Sequence, residues 1–191
     1  MIHSPRFTVV LDACVLYPAP TRDLLLNLAQ QGLFKPRWSD EIQNEWIEGL
    51  LKKRPDLSRL NLIRTKEAMN SAFPDANIEH YTPLVQSVDL PDPDDRHVLA
   101  AAIRSNADLI VTFNMDDFPG GSLEKYDVEV QHPDEFILSM LDLNVEQTKR
   151  AFLNQVERLK NPSMTIDQAL ENLRACGVPR AADKLEELLR E

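Results

Sequence analysis

Apolar positions in this chain follow two patterns. Up to about residue 140, short continuous apolar runs alternate with stretches of helical period. Phe7-Thr8-Val9-Val10-Leu11, Asp108-Leu109-Ile110-Val111-Thr112-Phe113 and Val128-Glu129-Val130 have strand length and are rich in β-branched residues. Apolarity that is continuous, not alternating, predicts strands buried on both faces, as in a parallel sheet. The intervening pattern predicts helices. One runs through Asp23–Ala29, capped by Thr21 and stopped by Gly32. A second is capped by Ser39 and turns Ile42, Trp46 and Leu50 to the core. A third runs from Pro55-Asp56-Leu57-Ser58 to Phe73-Pro74, and an alanine-rich one follows Pro93 and ends near Asn106. Phe34–Trp38 reads as a short connecting segment. Asn77–Val88 fits either a short strand or a helical turn. A further helix opens at Pro133-Asp134-Glu135. From Asn144 onward the pattern is helical throughout: Val145–Leu159, Thr165–Cys176 with the capping box Thr165/Gln168 and a stop at Gly177, and Pro179–Leu189.

Strands alternating with helices predict an α/β fold, an open parallel sheet flanked by helices over residues 1–142. The helical pattern that follows predicts a small all-helical appendage over residues 143–191. In an open α/β sheet, ligands gather at the carboxyl ends of the strands. Asp12 ends the first strand, and Asn114, Asp116 and Asp117 follow the second. Asp94 and Asp95 open the helix that feeds the second strand, and Glu45 lies on the helix after Ser39. Right-handed crossovers bring these acids to one edge of the sheet. Carboxylates that close repel one another, and a cation is the usual reason to gather them. A carboxylate set without a His/Cys ligand pattern suits a hard ion, magnesium or manganese. Such an ion polarises phosphodiesters. The bland alternative is a metal-free α/β protein in which Asp94 and Asp95 merely favour a helix N-terminus. Arg22, in the first turn of a helix that disfavours a cation there, calls for an acidic partner or simple solvation.

Composition narrows the choice. The 191 residues are 43% hydrophobic and 27% charged, ordinary for a globular protein. Cys14 and Cys176 are far apart and form no CxxC, which argues against a disulfide framework or a zinc site. The first residues lack the apolar region of a secretion signal, and no apolar run is long enough to span a bilayer, so the chain reads as a soluble, cytoplasmic protein. A net charge of −10 speaks against nucleic-acid binding taken alone. The charge is uneven, however. From Lys35 to Lys66 there are eight bases against five acids, including Arg37, Lys52, Lys53 and Arg54. Five glycines, with neither GxGxxG nor GxxxxGK[ST], argue against a phosphate-cradling loop. No GxSxG occurs. Cys14 reads as buried and inert, and His97 as packing or surface, not as a base.

Four motifs together resemble the PIN domain, the nuclease fold of VapC-type toxins. They are Val9-Val10-Leu11-Asp12, Arg37-Trp38-Ser39 through Glu45, Asp94-Asp95-Arg96-His97-Val98-Leu99-Ala100-Ala101, and Val111-Thr112-Phe113-Asn114 with Asp117-Phe118. The resemblance covers roughly residues 6–140. It implies that Asp12, Glu45 and Asp95 take the first three acidic positions and Asp117 the fourth, as metal ligands and catalytic groups. Asn114 stands where many members carry Asp. Thr112 matches a hydroxyl residue beside the site, and Asp94 and Asp116 are supporting acids. Cys14 stands where many members carry Asn, which implies the loss of a polar contact. The resemblance further implies magnesium- or manganese-dependent hydrolysis of RNA, tRNA among the candidate substrates, and neutralisation by a cognate antitoxin. Lys52, Lys53, Arg54 and Arg37 then become an RNA-facing surface. The helices after Asn144 lie beyond a typical toxin and suit dimerisation, antitoxin docking or substrate shaping. The alternative within the family is a scaffold of little activity that binds RNA or protein.

Overall fold

The computed structural model describes residues 7–160 and 162–190. In chain order the elements are β1 (Thr8–Leu11), α1 (Ala13–Leu16), α2 (Ala19–Gln30), β2 (Lys35–Arg37), α3 (Asp40–Lys53), α4 (Arg59–Ala72), α5 (Thr82–Val85), α6 (Arg96–Arg104), β3 (Leu109–Val111), α7 (Gly120–Leu123), β4 (Glu129–Gln131), α8 (Pro133–Leu143), α9 (Val145–Arg158), α10 (Ile166–Ala175) and α11 (Pro179–Arg190). Short 3-10 turns occupy Pro93–Asp95, Met115–Asp117 and Glu124–Tyr126. The residues read for a leader, 1–6, lie outside the described part. Among the described residues no helix is long and apolar enough to cross a membrane, and Cys14 and Cys176 are free thiols.

The chain forms two compact units. One takes Phe7–Tyr17 and Lys35–Gln131, and the other takes Pro18–Phe34 with the chain from His132. The first holds the sheet, four parallel strands in the order β2-β1-β3-β4. The parallel α/β sheet expected from the sequence is therefore present. One strand was not anticipated: Lys35-Pro36-Arg37, taken as a connection, is β2. It is three residues long and contains proline, which strands tolerate at an edge, and β2 is an edge strand.

The centre of this unit follows from side-chain size. Val9, Val10, Leu11, Ile110 and Val111 are fully buried, as are Val98, Leu99, Ala100, Ala101 and Ala102 of α6. Three consecutive alanines let α6 approach β1 and β3 closely. Parallel pairing sets Leu11 beside Val111, so Asp12 and Thr112 leave the sheet side by side. Ser39 caps α3 by accepting from the Ile42 amide at 3.1 Å. The buried face of α3 differs from expectation. It carries Ile42, Gln43, Trp46 and Ile47, whereas Leu50 is half-buried. Gln43 is retained there because its Oε1 accepts from the Trp46 indole at 2.6 Å. The α3–α4 hairpin is fastened by Trp38, whose indole donates to Asn70 Oδ1 at 2.8 Å and meets the Phe73 ring edge-on at 5.9 Å. Within Asn77–Val88, Asn77 makes only an isolated bridge to Trp38, and Thr82–Val85 is α5.

In the second unit α2 packs on α9, and α11 on α8 and α10. Helix α2 begins at Ala19 after Pro18, so Thr21 is an interior, buried residue and not its cap. Pro20, in its first turn, supplies a φ already set for a helix. Gly32 follows the helix end at φ +77°, as its stop. Phe34 and Phe136 meet edge-on at 5.0 Å. Buried Asp134 on α8 accepts from the amides of Arg180 and Ala181 at 3.3 and 2.8 Å, so it caps α11 from a neighbouring helix. Thr165 and Gln168 form the expected capping box of α10.

Candidate active site

Asp12 is 4% exposed at the end of β1 and every one of its oxygens is engaged. Oδ1 accepts from the Ala13 amide at 2.7 Å, which makes Asp12 the cap of α1. Oδ2 accepts from the Thr112 hydroxyl at 2.7 Å and from the Cys14 thiol at 3.1 Å. The Thr112 oxygen in turn accepts from the Asn114 amide at 3.0 Å, and the Cys14 sulfur from the Phe113 amide at 3.2 Å. The donors form one chain, from the backbone of residues 113–114 through two side chains to Asp12. The polar contact expected to be lost at Cys14 is therefore present, supplied by sulfur. Burial, with the Asp12 charge second, pushes this thiol up to about 12. It stays protonated and donates, which agrees with reading Cys14 as inert toward nucleophilic chemistry.

Asp95 stands at the start of α6, half-buried. Burial pushes its carboxyl up to about 7, reinforced in turn by the charges of Asp12, Asp117, Asp92 and Glu45. Those four acids come from β1, from the turn after β3, from the turn before α6 and from α3. Asp12, Asp117 and Glu45 belong to the set gathered from the sequence, and Asp92 does not. Asp92 belongs to the turn, where its Oδ1 accepts from the Asp94 amide at 2.9 Å. Asp94, Asn114 and Asp116 are exposed and Asp117 is half-buried.

Glu45 has a partner that the sequence reading passed over. His97, 4% exposed, sets Nε2 3.0 Å from Glu45 Oε1, while its Nδ1 lies 3.7 Å from Glu41 Oε2. The Tyr81 hydroxyl donates to the same Glu41 oxygen at 3.0 Å. Burial opposes charge on His97. The hydrogen bond to Glu45, then the charges of Glu45, Glu41 and Asp12, outweigh it and raise the imidazole above its ordinary value. A histidine inside an otherwise small, apolar helix face was the available signal, because a buried imidazole needs a polar partner. His97 orients Glu45. His97→Leu removes this partner of Glu45, and His97→Gln, which keeps a donor, should melt closer to the parent than His97→Leu does.

The remaining candidates lie elsewhere. Arg22 is in the helical unit, buried, with Nε 3.6 Å from Asp23 Oδ1, so its acidic partner is its own neighbour in sequence. Lys52, Lys53 and Arg54 are exposed at the end of α3. Arg54 holds Asp56 through two bonds of 2.8 and 2.7 Å. Arg59 pairs with Glu48, and Lys66 with Asp40 at 2.8 Å. Three of the eight bases between Lys35 and Lys66 are thus paired with three of the five acids there, which leaves the net excess of three bases in place. Arg37 Nη1 donates to the Pro36 carbonyl at 3.1 Å.

The donor chemistry fits a hard divalent cation: oxygen ligands only, in a crevice where carboxylates repel and a half-buried one is driven toward its neutral form. Among the described residues no group of three or more His, Cys, Asp or Glu side chains stands arranged to hold an ion.

The parallel α/β sheet thus brings carboxylates from two strand ends and two helices within electrostatic reach of one another. The chain belongs to the PIN domain family, of the VapC type: the model described as PIN domain matches residues 8–116, and the one described as VapC50 C-terminal domain matches residues 133–187. A curated relative, "Putative ribonuclease VapC50" of Mycobacterium tuberculosis (strain ATCC 25618 / H37Rv), is 43% identical over 94 residues. That similarity covers 49% of this chain and 55% of the relative, about half the length of each. No solved structure matches.

Proposed function

We propose that this chain is a divalent-metal-dependent endoribonuclease and the toxin of a toxin–antitoxin pair. One observation carries the reading most directly: Asp12, Glu45, Asp95 and Asp117, from β1, α3, the start of α6 and the turn after β3, come within electrostatic reach of one another, and their charges add to burial in raising the Asp95 carboxyl. Such a gathering of carboxylates suits a cation. Asp12, Glu45, Asp95 and Asp117 would hold magnesium or manganese, which when bound supplies Lewis acidity toward a phosphodiester. The chain's own groups do the rest. Thr112 and Cys14 fix Asp12 in one orientation, His97 fixes Glu45, and the low exposure of Asp12 keeps bulk water from one wall of the crevice.

The sheet-bearing residues carry this chemistry, and the helices from residue 143, which form one compact unit with α2 and α8, serve antitoxin docking, a second copy or substrate shaping. Lys52, Lys53 and Arg37 are exposed or half-exposed bases available to phosphates. A cytoplasmic location and tRNA as substrate accord with the family resemblance. A second reading, an inactive RNA- or protein-binding scaffold, draws on Asn114, which is exposed and brings no charge.

Incubating the purified protein with total RNA separates the two. Cleavage that chelator abolishes and magnesium or manganese restores is the expected result. Intact RNA with either metal, together with no saturable heat of metal binding, would leave only the scaffold.

A further inference from the structure

A second cleft adjoins the acidic site. Ala13, Cys14 and Tyr17 of the α1 segment form one wall, and Glu45, Trp46 and Lys53 of α3 form the other, around about 280 Å³. Glu45, Gly49 and Lys53 succeed one another at four-residue steps, so they make one stripe along α3. Tyr17 lies along that stripe. Lys53 Nζ is 5.5 Å from its ring centroid. A Cβ at Gly49 would sit 3.4 and 3.5 Å from Tyr17 Cδ2 and Cε2. That is ordinary van der Waals contact, so the ring lies directly against this face of the helix.

We propose that this cleft is a base-stacking subsite, taking the nucleotide next to the scissile phosphate of a single-stranded RNA. The inference rests on the ribonuclease reading and adds a specificity-determining residue, Tyr17. Its geometry follows from shared residues. Glu45 and Cys14 line the cleft and also belong to the acidic site, since Cys14 donates to Asp12. A strand whose phosphate lies at the acids therefore passes directly into the cleft. The Tyr17 ring offers a half-exposed aromatic surface for an unpaired base. Lys53, two turns beyond Glu45 and about 12 Å along the helix axis, offers an ammonium to the next phosphate. An aromatic surface between a carboxylate and an ammonium suits one nucleotide, whose base is flat and apolar and whose backbone is anionic. A duplex has its bases stacked internally and leaves none for Tyr17.

The test uses the full chain, held in chelator so that no cleavage occurs, and a 5′-labelled random-sequence RNA 12-mer containing 4-thiouridine. Ultraviolet crosslinking should map to the peptide bearing Tyr17. Tyr17→Ala should weaken binding on the order of tenfold, the range for loss of one stacked base. Tyr17→Phe, which keeps the ring, should bind within about twofold of the parent. Lys53→Gln should reduce the slope of log affinity against log salt by about 1. Parent-like binding by Tyr17→Ala, or crosslinks confined to other peptides, would overturn the subsite. If magnesium then still allows the parent protein to cut the same RNA, only the subsite falls. If the parent neither binds nor cuts RNA, the ribonuclease reading falls and takes the subsite with it.

Discussion

Asp12→Asn should abolish RNA cleavage while leaving the protein folded. The loss should be roughly 10²- to 10⁴-fold, the range associated with removing one charge-handling catalytic group. The substitution keeps the shape and one carbonyl oxygen. That oxygen can still accept from the Ala13 amide, since asparagine caps helices as well as aspartate does. The new amide nitrogen then faces Thr112 and Cys14, both of which donate to Asp12 in the parent. Thr112 already accepts from the Asn114 amide, so it has to share its remaining acceptor capacity. A stability cost of about 1 kcal/mol is expected, too little to unfold a domain of this size. What disappears is the buried negative charge, and with it the anchor of the carboxylate set. Circular dichroism on the same preparation separates lost chemistry from lost structure.

Asp95→Asn should do something that a purely structural acid would not: raise the melting temperature of the metal-free protein while removing metal-dependent activity. The sign follows from linkage. The carboxyl is raised to about 7 in the folded state, chiefly by burial and then by the charge of Asp12. Protonation is therefore favoured by folding. Its contribution to stability is complete below the ordinary carboxylate value near pH 4 and is lost as pH rises through about 7. A neutral asparagine removes the penalty present above pH 7. Because the side chain is only half-buried, solvent screening limits the gain to about 1 kcal/mol, or about 3 °C. Melting in chelator at pH 8 should show the increase, and melting at pH 5, where the folded-state carboxyl carries its proton and only the unfolded chain ionises, should show a smaller one, about a third as large. An equal shift at both pH values would mean that charge repulsion is not its source. Stability gained where function is lost is what an acidic site completed by a cation predicts.

The parts of the fold that were legible in the sequence share one property: their pattern was imposed by burial. β1 and β3 are continuous apolar runs because the sheet is covered on both sides, and the alanines of α6 announced close packing. Asp12 was legible because a buried strand that ends on an acid is physically unusual. β2 escaped because three residues with a central proline carry no strand periodicity, and edge pairing alone makes them a strand. The start of α2 escaped because Thr21 looks like a cap wherever it stands, while Pro18 leaves no side-chain signature of capping.

The same distinction holds at the site. Asp12, Asp95 and Asp117 could be placed near one another from strand ends and a helix start, since topology brings those points together, whereas the role of Glu45, in the body of α3, came from the family resemblance. The partnerships among them could not be foreseen. Glu45 and His97 are 52 residues apart and meet only because α3 and α6 are neighbours at the crevice. Cys14 looked like a departure that cost a polar contact, yet the thiol spans the gap between Asp12 and Thr112. Tyr17 was invisible for another reason. Its relation to Glu45, Gly49 and Lys53 depends on α1 ending against α3, which no local pattern encodes.

The central claim is that the Asp12-centred carboxylates cut RNA. Sequencing the 5′ ends of cellular RNA after induced expression of the parent chain and of Asp12→Asn, at matched protein levels, tests it most directly. The account predicts new ends concentrated at a small set of positions with the parent and none of them with Asp12→Asn. The same ends in both samples would contradict it.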